Sequence, residues 1–193
     1  MRFHGVASTY LADLPVGGKA HAYVRATNVQ FRLPVDPAMP IIMICAGTGL
    51  APMRAFMQER AAIAHAQPNL TMGKALLYFG CRDPEKDYIC AAELEAWEAS
   101  GFVSLRPCFS HHPGMSGGFK YVGKRLESDK EEIVSLFKNG AKIFLCGSAS
   151  KLAKSVNEVL ERIVMEYRDI GSEEARAWLA KQKADRYVSD VFG

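Results

Sequence analysis

The segment Cys45-Ala-Gly-Thr-Gly-Leu-Ala-Pro-Met-Arg54 carries the residue types needed to hold an anion. Gly47 and Gly49 allow a tight backbone turn and the close approach of a ligand, and Thr48 adds a hydroxyl donor. With a helix opening at Pro52, unpaired N–H groups and the positive end of the helix dipole face the same spot, and a diphosphate is the natural guest. A sharp strand-to-helix turn needs glycine even without a ligand, and Pro52 stands where the ordinary dinucleotide fingerprint has its third glycine. On this motif alone both readings stay open. The lack of a following Gly-Lys-Ser/Thr argues against a P-loop hydrolase.

A second candidate is electrostatic. No Asp or Glu occurs between Ser100 and Leu126, whereas Arg106, Lys120, Lys124 and Arg125 do, with His111 and His112 among them. In a chain of net charge +3 such a window suits an anionic ligand, with a solvated basic loop as the alternative. The net charge is too small to point to nucleic acid. Five cysteines (Cys45, Cys81, Cys90, Cys108 and Cys146) form no Cys-x-x-Cys pair, so no metal site is expected. A disulfide framework does not suit a core-rich chain of 193 residues, and the compartment expected is reducing and cytoplasmic.

These residues need a scaffold to bring them together. Apolar runs at Ile41–Cys45, Ala75–Gly80, Phe102–Pro107, Ala141–Cys146 and Tyr187–Phe192 predict five strands. Helical stretches at Pro52–Ala66, Ala91–Ser100, Glu131–Asn139, Ser150–Arg168 and Ser172–Ala184 separate them, which predicts an α/β fold with a parallel, doubly wound sheet covered on both faces. Pro52 suits a first helical position, Gly140 a residue just past a helix end, and Ser172 an N-cap. Before residue 40, Gly17-Gly18 predicts a turn, His21–Thr27 a strand with Phe31-Arg-Leu33 pairing to it, and Pro34, Pro37 and Pro40 a linker. That opening reads as the tail of a β-domain, giving boundaries of 1–38 and 39–193. No run reaches the roughly 18 apolar residues of a membrane span, and the first residues lack a signal-peptide core. In a doubly wound sheet ligands bind beyond the carboxyl ends of the strands, so Cys146 at the end of the fourth strand faces any cofactor; a buried inert thiol is the alternative.

Four segments occur in a telling order: Gly47-Thr-Gly-Leu-Ala-Pro-Met-Arg54, Tyr78-Phe-Gly-Cys-Arg82, Phe144-Leu-Cys-Gly147 and Asp190-Val-Phe-Gly193. In these the chain resembles the ferredoxin–NADP reductase superfamily, and most closely its diflavin branch, the NADPH–haemoprotein reductases, including those fused to haem-thiolate monooxygenases. The resemblance implies an NADPH-binding domain preceded by a remnant of an FAD-binding β-barrel. It implies hydride transfer from NADP(H) to FAD and onward transfer through FMN to a haem-protein acceptor, with the FAD and FMN domains on the same polypeptide. Sulfite-reductase flavoproteins and nitric oxide synthase reductase halves share these motifs, and a nucleotide-binding module without autonomous catalysis is the other reading.

Residue by residue, the resemblance implies that Gly5, Val6, Ala7 and Ser8 hold the FAD diphosphate, a run that by itself reads equally as a plain helix start. The flavin-cradling Arg-x-Tyr-Ser segment is not found ahead of them, so an incomplete FAD site is expected. Gly47, Thr48 and Gly49 would take the NADP diphosphate, and Cys81, Arg82, Gly147 and Ser155 would line the cofactor. Ser110, His111, Lys120 and Tyr121 would take the 2′-phosphate. Cys146 and Asp190 would share a hydrogen bond at the hydride-transfer site, and Phe192 would stack on the flavin and swing aside. The chain departs from the pattern at His111 (usually arginine), at Phe119 (usually lysine, here displaced to Lys120), at Ser148 (usually acidic) and at Phe192 (usually tryptophan). A histidine lacks arginine's permanent bidentate grip, so a weakened NADPH preference, stronger in acid, is implied. A smaller aromatic lid implies relaxed discrimination against NADH.

Overall fold

The computed structural model describes residues 4–23, 31–183 and 185–192. Five strands, β1 (Ile41–Ala46), β2 (Ala75–Cys81), β3 (Ser104–Phe109), β4 (Lys142–Ser148) and β5 (Tyr187–Phe192), form one sheet in the order β3-β2-β1-β4-β5. All four pairings are parallel. β1 is central because Ile41-Ile-Met-Ile-Cys45 has no polar side and is wholly excluded from water, which requires cover on both faces. The chain steps from β1 outward to β3 and then returns with β4 to the other side of β1. The topological switch point therefore lies between β1 and β4.

Alternate side chains feed two cores. Ile42, Ile44, Tyr78 and Leu145 pack beneath α4 (Val122–Ser128), α5 (Lys130–Lys138), α6 (Lys154–Arg168) and α7 (Ser172–Gln182). Ile41, Met43, Phe79 and Phe144 pack beneath α2 (Leu50–Ala66) and α3 (Ala91–Ala99). α6 shows the logic most plainly: Val156, Val159, Leu160, Ile163 and Val164 recur at helical spacing and are its buried residues.

The expected sheet and its five covering helices are present, with several corrections at the ends. α2 opens at Leu50 after a 3-10 turn at Gly47–Gly49, so Pro52 is its third residue, where a missing N–H still costs nothing. A π turn at Ala149–Ala153 precedes α6 where a plain helix start is expected. Ser172 is not a cap: Gly171 holds that position, and the Ser172 hydroxyl donates to Glu161 at 2.5 Å. Gly140 does close α5, with φ +87°.

Ahead of β1, the Gly17-Gly18 turn is present, with the Gly18 N–H donating to the Pro15 carbonyl at 2.8 Å. The strand expected over His21–Thr27 falls partly outside the described residues, and residues 21–23 carry no regular structure. Phe31–Leu33 form no strand. Phe31 instead packs against Phe56 and Phe144, with ring centroids 5.5 and 5.4 Å away, and the Gly73 N–H donates to the Pro37 carbonyl at 2.9 Å. The approach segment is thus held against the α/β unit. α1 (Val6–Asp13) matches the plain helix start that the Gly5–Ser8 run offers by itself; it buries none of its residues and leaves Tyr10 and Leu11 exposed.

Candidate nucleotide site

The Gly47–Gly49 loop sits on the carboxyl edge of the sheet at the switch point. Gly47 has φ +54°, and the direction a Cβ would take is open. Gly49 is the opposite case: a Cβ there would overlap the Cys146 carbonyl, so the loop lies directly on the end of β4. Thr48 between them is exposed, and the first turn of α2 follows at once, offering N–H groups with no partner inside the helix.

Beside this loop lies a cleft of about 660 Å³. One wall carries Arg82, Ser110, Lys120 and Tyr121; the other, from the π turn and α6, carries Lys151, Leu152, Ser155 and Arg162. Gly47 and Cys81 line it as well. Hydrogen bonding fixes the first wall. The Ser110 and His111 N–H groups donate to the Cys81 and Arg82 carbonyls at 3.0 and 2.9 Å, continuing the β2–β3 pairing past the strands. The Arg82 and Asp83 N–H groups donate to the Asp87 carboxylate at 3.0 and 2.7 Å. Buried Ser116 accepts from the Phe109 N–H at 3.1 Å and donates to the Phe119 carbonyl at 2.8 Å, tying both ends of the connecting loop together.

Five cations (Arg82, Lys120, Lys124, Lys151 and Arg162) line the cleft against two carboxylates, Asp87 and Glu127. The acid-free window supplies only part of this. Arg106 and Arg125 turn away and place their Nε atoms 3.2 and 3.1 Å from Asp129, which lies just beyond the window. Phe119 stacks under the Arg125 guanidinium at 4.5 Å. His111 is held through its backbone and is not on the cleft wall, while His112 Nε2 lies 3.4 Å from Asp83. Nothing in the sequence marks Lys151 and Arg162 for this wall, because a cleft-facing helix side has the same residue types as a solvated one.

A second group lies on the same strand edge. Cys146 pairs in register with Cys45 on one side and Asp190 on the other. Burial first, and the Asp190 charge second, push the Cys146 thiol up to about 11. The expected Cys146–Asp190 hydrogen bond is not formed among the described residues; the two interact through charge across adjacent strands. Gly147 is buried beside them, and Phe192, half exposed, lies opposite Ser148. Gly5 caps α1 and Val6–Ser8 form its exposed first residues, where the Thr9 N–H donates to the Gly5 carbonyl at 2.9 Å.

All five cysteines are free, and Cys90 alone is exposed. Burial pushes the Cys81 and Cys108 thiols up to about 12. Iodoacetamide at pH 8 is therefore expected to alkylate Cys90 and to spare the other four, as read by peptide mass spectrometry. Comparable labelling of Cys146 would mean that its thiolate is accessible at the strand edge.

Residues 43–158, which include the glycine loop and most of the cleft, match the profile of the oxidoreductase NAD-binding domain. The chain belongs to that family. As an oxidoreductase NAD-binding domain it is similar over almost its whole length to much larger proteins. It is 45% identical over 191 residues, 98% of the chain, to a self-sufficient cytochrome P450 monooxygenase of Phanerodontia chrysosporium. It is 43% identical over 197 residues, 99% of the chain, to a bifunctional cytochrome P450/NADPH–P450 reductase of Fusarium oxysporum. A protein of the same description from Bacillus cereus is 40% identical over 191 residues, 98% of the chain. The chain spans 18% of the length of each of these relatives. No helix among the described residues is long and apolar enough to cross a membrane.

Proposed function

We propose that the chain is the NADPH-binding part of a cytoplasmic flavoprotein reductase of the diflavin type, in which hydride passes from NADPH to FAD and electrons continue through FMN to a haem protein. The observation that carries the reading is a cation-lined cleft running into a glycine loop at the sheet's switch point, where a dinucleotide is expected to lie. A haem-protein acceptor is supported by the relatives, whose names join a cytochrome P450 to an NADPH–P450 reductase.

The residues suit NADPH. Gly47 leaves open the space a side chain would fill, Thr48 and the first turn of α2 offer donors to the diphosphate, and Ser110, Lys120 and Tyr121 face the cleft for the 2′-phosphate. Bound NADPH would supply the hydride. Cys146, held as a neutral thiol, would present a polarisable contact to the nicotinamide without competing as a base, and Asp190 beside it would orient the carboxamide side. Phe192, half exposed, is free to stack on a flavin carried by an adjoining domain. The second reading is a nucleotide-binding module without autonomous catalysis; in the first, Gly5–Ser8 at the start of α1, an element with no buried residue, would meet the FAD diphosphate.

Anaerobic mixing of the chain with FAD and NADPH separates the two. Bleaching of the flavin absorbance well above the rate without protein supports autonomous transfer; NADP⁺ binding without bleaching supports the module. In a complete reductase carrying this domain, Phe192→Trp is expected to raise the NADPH/NADH ratio of kcat/KM several-fold, since a larger stacked lid resists displacement by the more weakly held nucleotide. An unchanged ratio would remove Phe192 from the specificity account.

A further inference from the structure

The proposed function leaves one feature of the cleft unused. Glu127 on α4 accepts from Lys124 Nζ at 2.8 Å and from Arg162 Nε, reaching across from α6, at 3.3 Å. All three side chains line the cleft that holds Ser110 and Tyr121. Arg162 lies seven residues beyond Ser155 on α6, about 10 Å along the helix, so the triplet sits away from the glycine loop and its diphosphate. The two cations keep the Glu127 carboxyl below the usual carboxylate range, and it carries its charge wherever a phosphate does.

A carboxylate between two cations is the arrangement a phosphate would take there. Any phosphate entering this end of the cleft meets cations already engaged and a like charge between them. All three side chains are at least one-third exposed, so the pairs are weak and exchange readily with a stronger, dianionic acceptor. We propose that Glu127 is the internal stand-in for the nucleotide's 2′-phosphate: it holds Lys124 and Arg162 in place until the phosphate displaces it, and so limits the preference for 2′-phosphorylated over unphosphorylated adenosine. The inference rests on the NADPH reading above and names the residues that tune it.

The test compares adenosine 2′,5′-bisphosphate with AMP by isothermal titration calorimetry on the full chain at low ionic strength, where the two ligands differ by the 2′-phosphate alone. In Glu127→Gln the bisphosphate/AMP affinity ratio is expected to rise roughly threefold or more, and in Arg162→Gln to fall by a similar factor, with AMP affinity changed by less than about twofold in both. The difference between variants should shrink in high salt. Thermal unfolding checks that both exposed substitutions leave the fold intact. A ratio that stays flat or falls in Glu127→Gln, while the unmodified chain prefers the bisphosphate, overturns this inference alone. An unmodified chain that binds neither ligand overturns the NADPH reading and the inference with it.

Discussion

Gly49→Ala is expected to lower NADP⁺ affinity by on the order of 100-fold and to destabilise the domain by about 1–3 kcal/mol. The added methyl would meet the Cys146 carbonyl and the backbone of Gly147, not a side chain that could rotate aside. Either the loop lifts off β4, displacing the donors at Thr48 and the start of α2, or β1 and β4 part at the switch point. Gly47→Ala is the control. Its Cβ would meet no protein atom, so the folding cost is the left-handed backbone alone, about 1–2 kcal/mol; the methyl occupies the space kept open for the ligand, so binding should still fall while β1 and β4 stay packed. Calorimetric titration with NADP⁺ and urea unfolding of both variants check the pair. Wild-type affinity in Gly49→Ala would mean that the loop does not rest on the strand end.

Asp129→Ala should cost about 2–3 kcal/mol and weaken nucleotide binding as a secondary effect. One carboxylate oxygen accepts from Tyr78 Oη at 3.1 Å, Arg106 Nε at 3.2 Å and Arg125 Nε at 3.1 Å. These side chains are largely buried, and removing the carboxylate leaves two guanidiniums facing one another, of which Arg106 keeps a second carboxylate, Glu132, at 3.2 Å and Arg125 keeps the Phe119 ring. Burial, reinforced by Asp129, holds the Tyr78 phenol far above its usual range, so it remains a donor that loses its acceptor. The damage reaches the cleft through Arg125, which stacks on Phe119, whose carbonyl is bonded to Ser116. Chemical denaturation should show the larger change and nucleotide titration the smaller. Asp129→Asn, which keeps one acceptor oxygen, should recover part of both. Equal stability of Asp129→Ala and the parent would show that the network contributes nothing net.

The scaffold was readable because a parallel strand covered on both faces has little choice of sequence: Ile41–Cys45 admits no polar residue, and the glycines and helices between such runs set the alternation. The loop at Gly47–Gly49 and the placing of Cys146 at a strand end follow from the same rule. What escaped depends on contacts distant in sequence. The acid-free window ends at Leu126, and Asp129, three residues on, draws Arg106 and Arg125 out of the anion site. α4 is too short for a periodic pattern to stand out, so the acid-free window marks Lys124 but nothing in the sequence marks Glu127 as its partner in the cleft. Ser172 has the right residue type for a cap, yet Glu161 offers its hydroxyl a charged acceptor. Asp87 had a usable cue, since an Asp shortly after Arg82-Asp83-Pro84 is well placed to accept turn N–H groups.

The central claim is that a pyridine dinucleotide lies along the carboxyl edge of this sheet. Titrating NADP⁺ into isotopically labelled protein and following backbone amide resonances tests it directly. The account predicts that the largest shifts fall on Gly47, Thr48, Gly49, Ser110, Tyr121 and Gly147, saturating together. Shifts confined to the groove that Phe137 of α5, Ile163 of α6 and Trp178 of α7 line beside the opening residues of β4 and β5, Ile143 and Tyr187, or none at millimolar nucleotide, would contradict it.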